Sequence, residues 1–177
     1  YKFLKENIKN VSSLGWPTSM IKIYSEKNRS SELFQFKNKN QNNFYLLKYI
    51  EFYNLLMKNK SLKFVKYKNY SLETINKRNY NLIINSEHNN SITKKFFHKK
   101  IEKNYNASAH TALVNHKKIE NKTAVQIFTT SGPLAFLPLS DYQTSIVFSN
   151  NSNKLINKKR LLEIINKYNR KYIINKI

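Results

Sequence analysis

Four histidines, nine glutamates and one aspartate are the side chains of this 177-residue chain from which acid–base or metal chemistry could be assembled, and there is no cysteine. The missing thiol removes disulfides, thiolate metal sites and cysteine nucleophiles together. If residues 109–116 form a strand, His110 and His116 share a face. Six residues at about 3.3 Å each still hold them roughly 20 Å apart, too far for one ion. His88 and His98 read as surface residues, no two carboxylates are spaced as an acid–base pair, and no G-x-S-x-G elbow is present. Two glycines, Gly15 and Gly132, cannot build G-x-G-x-x-G or a Walker loop, because both need several positions without a Cβ. What remains is residues 126–149, QIFTTSGPLAFLPLSDYQTSIVFS, which hold Gly132, Pro133, Pro138, the sole aspartate Asp141 and no lysine. Physical reasoning leaves two readings open: an apolar edge strand that packs into the core, or the apolar wall of a pocket for a ring-bearing ligand.

Elements on either side must position this stretch. Phe3, Leu4, Ile8 and Val11 have helical spacing, Gly15 offers a stop, and Trp16-Pro17 reads as a turn. Residues 20–25 and 32–36 alternate as an antiparallel strand pair. From 44 to 58, Leu46, Tyr49, Ile50, Tyr53, Leu56 and Met57 make the stripe of an amphipathic helix with Asn42 or Asn43 as cap. Strands are expected over 62–67 and 80–84, then a short helix capped by Ser91. Segments 109–116, 123–130 and 144–149 read as an antiparallel sheet, with Asp141 in a turn. The consecutive Ile146, Val147 and Phe148 predict a strand covered on both faces. A closing helix over 158–168 carries Leu161, Leu162, Ile165 and Tyr168 on one side. The predicted fold class is α+β.

Charge is the other prominent feature. The formal net charge is +22, yet only four cations are arginine (Arg29, Arg78, Arg160, Arg170), and 27 residues are asparagine. Strong AT-rich codon bias produces that composition, and planar guanidinium forks are the usual readers of phosphates and bases. A basic RNA-binding module is therefore an alternative, and no specific nucleic-acid partner is expected. No apolar run approaches the roughly 18 residues that span a bilayer, and no signal-like segment opens the chain, so a soluble or peripheral protein is expected.

The run His116, Ala124, Phe128, Gly132-Pro133-Leu134-Ala135-Phe136-Leu137-Pro138-Leu139 and Ser145-Ile146-Val147-Phe148-Ser149 resembles the substrate-domain signature of the ubiquinone-biosynthesis hydroxylases, a family of FAD-dependent aromatic monooxygenases. Lys117 stands where the family tends to have Glu, and Phe148 where it tends to have Trp. Residues 80–95 resemble the family's Asp-Gly segment more weakly. Asn90-Ser91 match there, while Asn85 and His88 replace its glycines and Glu87 its aspartate.

The resemblance implies an antiparallel substrate-domain sheet with flanking helices (19–38 and 101–177) beside an incomplete α/β FAD domain (1–18 and 39–100). It implies the middle of a longer chain, in keeping with a start at Tyr1, and a segment inactive by itself. The implied activity is transfer of one oxygen atom from O2 to a polyprenylated aromatic ring, with FAD and NAD(P)H as cofactors. Gly132, Pro133, Leu134, Ala135, Phe136 and Leu137 would line the substrate pocket, and Glu87 and Pro133 would meet the cofactor. The expected partners are a polyprenyl-phenol or quinone precursor, the inner-membrane surface from its cytoplasmic side, and other ubiquinone-synthesis enzymes. Glu87 and His88 also motivate a degenerate, non-catalytic paralogue.

Overall fold

Period-2 alternation over 108–150 builds the centre of the molecule. In the computed structural model, which describes residues 2–28, 31–37, 44–58, 72, 75, 80–97 and 101–177, this region forms four strands. They are β5 (Ser108–His116), β6 (Thr123–Thr129), β7 (Gly132–Ser140) and β8 (Gln143–Asn150). All their mutual pairings are antiparallel. Thr130-Ser131 and Asp141-Tyr142 are the turns that join β6 to β7 and β7 to β8.

Upstream, β2 (Met20–Ser25) and β3 (Glu32–Lys37) form the expected antiparallel pair. Strand β2 then lies parallel to β6, from Met20 opposite Thr123 to Ser25 opposite Phe128. Parallel neighbours need a long crossover rather than a hairpin, and here 97 residues, 26–122, separate the two strands. Strand β9 (Ile174–Lys176) adds to β5, which gives a mostly antiparallel seven-stranded sheet of order β3-β2-β6-β7-β8-β5-β9. The fold is mixed α+β.

Several local expectations are corrected. Trp16-Pro17 is no turn: β1 (Trp16–Thr18) pairs with β4 (Phe44–Leu46) in a two-stranded sheet. Residues 44–46 therefore leave the predicted helix, and α2 covers Tyr49–Lys58. The apolar stripe alone could not see that the β1 edge competes for its first turn. The first helix stops early, with α1 at Lys2–Asn7 followed by a 3-10 turn at Val11–Ser13, because Asn10 adopts φ 64 in between. Residues 80–84 form no strand, and Leu82 and Ile84 are exposed, because an apolar run needs a ladder partner and none occurs among the described residues. The short helix α3 (Ser91–Phe96) is capped by Asn90, whose Oδ1 accepts from the Thr93 N–H at 2.9 Å, not by Ser91. The expected caps Asn42 and Asn43 and the strand 62–67 lie outside the described residues. The closing helix, α4 (Lys158–Tyr168), spans the predicted residues with Asn157 as cap.

The chain divides into two compact units, residues 63–105 and the remainder, so the sheet, both short β1–β4 strands, α2 and α4 belong to one unit. Its core joins Val114, Ile127, Leu134, Phe136, Ile146 and Phe148 of the sheet to Ile165, Tyr168 and Tyr172. Among the described residues no helix is long and apolar enough to cross a membrane.

Strand β7 is internal, although it contains two prolines that cannot donate to a ladder. Each proline sits where one ladder is missing. Pro133 pairs with Phe128, but the β8 register begins one residue later at Leu134; Pro138 pairs with Thr144, after the β6 register has ended at Phe136. That placement reconciles a central strand with residues usually confined to edges. Gly132 opens the strand at φ 130, and a Cβ there would stand 1.8 Å from the Ser149 carbonyl oxygen. Gly132→Ala should therefore lower stability by about 2 kcal/mol or more, since strain and a backbone clash combine. A urea unfolding midpoint unchanged from wild type would refute this account of the β7–β8 entry.

Candidate functional site

Because side chains alternate along a strand, the register of β7 sorts the expected site residues onto opposite faces of the sheet. Leu134 lies opposite Ile127 and Phe148, and Phe136 opposite Val125 and Ile146. Leu134 and Phe136 are buried in the core beneath α4. Pro133, Ala135 and Leu137 point the other way and are half-buried. Gly132 is buried at the strand entry. The six residues expected to line one pocket therefore do not share a surface.

The face carrying Pro133, Ala135 and Leu137 continues to Val147 on one side and, on the other, through Ala124, Gln126 and Phe128 of β6 to Ile21, Ile23 and Ser25, and on to Phe34 and Phe36 of β3. Phe34, Phe36 and Phe128 are 65%, 54% and 48% exposed, so this apolar sheet face is largely open. Val147 is half-buried rather than covered, unlike its neighbours Ile146 and Phe148. At one end the face meets a small recess of about 240 Å³, where Leu139 lies with Trp16, Leu14, Leu46 and Leu47. The Trp16 indole N–H donates to the Asn121 carbonyl at 2.6 Å, which ties the β1–β4 pair to the sheet.

On the α4 side lies a larger cleft of about 490 Å³, lined by β2, β3, β6, β7 and the segment from Tyr168 to Tyr172. Sequence reasoning missed it, since its walls come from stretches more than a hundred residues apart. Beside it runs a buried polar network. Asn121 Nδ2 donates to the Ser140 carbonyl at 2.8 Å and to Thr144 Oγ1 at 2.9 Å, and its Oδ1 accepts from the Tyr172 hydroxyl at 3.0 Å. His116 Nε2 bonds Thr144 Oγ1 at 3.0 Å while Nδ1 bonds the Lys117 carbonyl at 2.9 Å. His116 is thus committed to holding strands together. Burial pushes the Tyr172 hydroxyl above the ordinary tyrosine pKa.

Glu26 closes the other end of the cleft, at the β6–β7 turn. Its carboxylate accepts from the Tyr168 hydroxyl, from Thr130 N–H at 2.7 Å and from Lys167 Nζ at 3.0 Å. The Tyr168 hydroxyl foremost, then the Thr130 N–H and Lys167, hold its pKa down to about 2 from the ordinary 4.5.

Glu87, expected at a cofactor, belongs to the other unit. Its Oε2 accepts from Asn90 Nδ2 at 3.3 Å, and Asn85 bridges to Thr93 Oγ1 at 2.6 Å and Asn90 at 2.7 Å. These side chains satisfy one another, and His88 puts a Cβ where the resembling motif has glycine. No protein-family model and no curated protein sequence matches the chain.

Two outcomes follow from this geometry. Leu134→Ala should cost about 2–5 kcal/mol and Leu137→Ala about 1 kcal/mol or less, because only the first empties a closed core; equal losses in urea titrations would contradict the division of faces. Glu26 has a folded pKa below its unfolded one, so its contribution is complete above pH 4.5 and disappears as pH falls through about 2. Glu26→Gln should therefore be less stable than wild type near neutrality, with the two converging in acid, whereas a gap independent of pH would remove the carboxylate from this role.

Proposed function

We propose that this chain is part of a hydroxylase resembling those of ubiquinone biosynthesis, and that the open face of its sheet receives a polyprenylated phenol or quinone precursor. The observation that carries this reading is the mainly apolar sheet face on which Pro133, Ala135, Leu137, Phe128, Ile23 and Phe34 surround Gln126. A prenylated ring is nearly all apolar area, and removing such area from water is the main source of its affinity, about 25 cal/mol per Å². Strand pairing fixes the backbone under this wall, with Leu134 and Phe136 acting from the far side as core anchors. Among the described residues named on the open face none is an acid or a base, so the protein's contribution there is orientation and exclusion of water. The chemistry implied by resemblance is oxygen transfer from O2 with FAD and NAD(P)H as cofactors. A polyprenylated substrate would bring the protein to the cytoplasmic surface of the inner membrane and beside other enzymes of the same synthesis.

Glu87 and His88 favour a second reading, a non-catalytic paralogue that keeps the substrate face. Trp16, the sole tryptophan, reports on that face from the Leu139 recess. Titrating the chain with a prenylated benzoquinone in detergent micelles should quench its fluorescence saturably. Leu137→Asp should weaken binding about tenfold or more while circular dichroism stays unchanged, since the ligand would bury an unpaired charge. No saturable quenching by wild type would sink both readings. Flavin absorbance in the purified protein, with NAD(P)H oxidation stimulated by the phenol, separates the hydroxylase from the paralogue.

A further inference from the structure

The cleft on the α4 side has no part in that reading, and its lining is of a different chemical kind. Val125 and Ile127 of β6 form an aliphatic floor, and the rings of Tyr24, Phe136, Tyr168 and Tyr172 form the walls. Phe136 and Tyr172 lie nearly parallel, with ring centroids 6.0 Å apart and planes at 19°. A volume of about 490 Å³ falls in the range of small-molecule sites. Such a lining suits a flat ring better than a flexible chain, because stacked aromatic contacts add to area burial.

The rim carries charge of both signs. Lys22, Arg170 and Lys171 line the cleft against one carboxylate, Glu32. Glu32 is already engaged, since Lys22 Nζ donates to it and the Tyr24 hydroxyl donates at 3.3 Å. Glu26, at the Tyr168 end, is taken by Tyr168, Thr130 and Lys167. Among the described residues, the Lys171 ammonium meets only neutral acceptors, the Glu120 carbonyl at 3.2 Å and Asn121 Oδ1 at 3.5 Å. Lys171 is exposed as a residue, and partial desolvation still pushes its pKa below the ordinary lysine value, against weaker pulls from Glu120 and Asp141. An ammonium at the mouth of an aromatic cleft can give an anion a charge-assisted hydrogen bond.

We infer that this cleft binds a planar aromatic anion, its ring over Val125 and Ile127 between the tyrosines and its carboxylate or phosphate at Lys171. Either anionic group fits the same cation, and the binding is independent of the polyprenyl face across the sheet. Isothermal titration of the full chain with 2-naphthoate, naphthalene-2-carboxamide and adenosine 5′-monophosphate tests it. The naphthoate should bind at one site at least about tenfold more tightly than its neutral carboxamide, a difference that one charge-assisted hydrogen bond supplies. Tighter binding of the nucleotide than of the naphthoate would identify the phosphate as the preferred anion, and the reverse the carboxylate. Lys171→Met should erase the preference for the charged ligand, and Val125→Phe, which fills the floor, should abolish binding of both naphthalenes. Equal affinity of wild type for carboxylate and carboxamide, or binding of none of the three, overturns the inference, and this comparison needs no variant to fold. Quinone quenching of Trp16 in the same preparation shows whether the other face works, so the two can fail separately.

Discussion

Everything in the larger unit depends on the packing of Leu134, Ile146 and Phe148 against Ile165 of the closing helix. These four side chains are 0–1% exposed, and they decide which face of the sheet is interior. A pleated strand that turns Leu134 and Phe136 toward the helix must turn Pro133, Ala135 and Leu137 away from it. The open apolar face is thus a consequence of the core, since the same strand has hydrophobic residues at both parities.

Close approach at the start of β7 keeps that register. Gly132 lets the chain pass against the Ser149 carbonyl, and Asn151 N–H donates to the Ser131 carbonyl at 2.8 Å beside it. At the opposite end Asn121, Thr144, His116 and Tyr172 form a satisfied polar cluster inside an otherwise apolar core. Buried polar groups cost free energy unless paired; here pairing joins both hairpin ends to the segment after α4. Glu26 does the same from the edge, connecting β2, the β6–β7 turn and α4. Cleft and open face are therefore two sides of one sheet whose ends are locked by hydrogen bonds and whose middle is locked by packing.

Charge has a different status. A net charge of +22 is spread over a surface of lysines, and such charges act mainly through solubility and association. Lys171 differs in lying at the mouth of the cleft beside the Glu120 carbonyl and Asn121 Oδ1. Composition could not separate that residue from the other lysines, because its neighbours are set by the fold.

By itself, the sequence determined the local elements whose signals are intrinsic to a few residues: β2, β3, β5, β6, β8 and α4 follow from period 2 or 3.6, and the Asp141 turn from its side chain. It also marked 126–149 as the unusual stretch. Tertiary structure decided what that stretch is. Proline argues for an edge or a loop in a single strand viewed alone, and only the offset of the β6 and β8 ladders shows how both prolines enter the middle of a sheet. Competition was equally invisible locally, as when residues 44–46 left a helical stripe to pair with β1. The parallel β2–β6 contact and the cleft beneath α4 join residues about a hundred positions apart. Non-local pairing of that kind leaves no periodic trace, because it is chosen by the burial of the whole sheet.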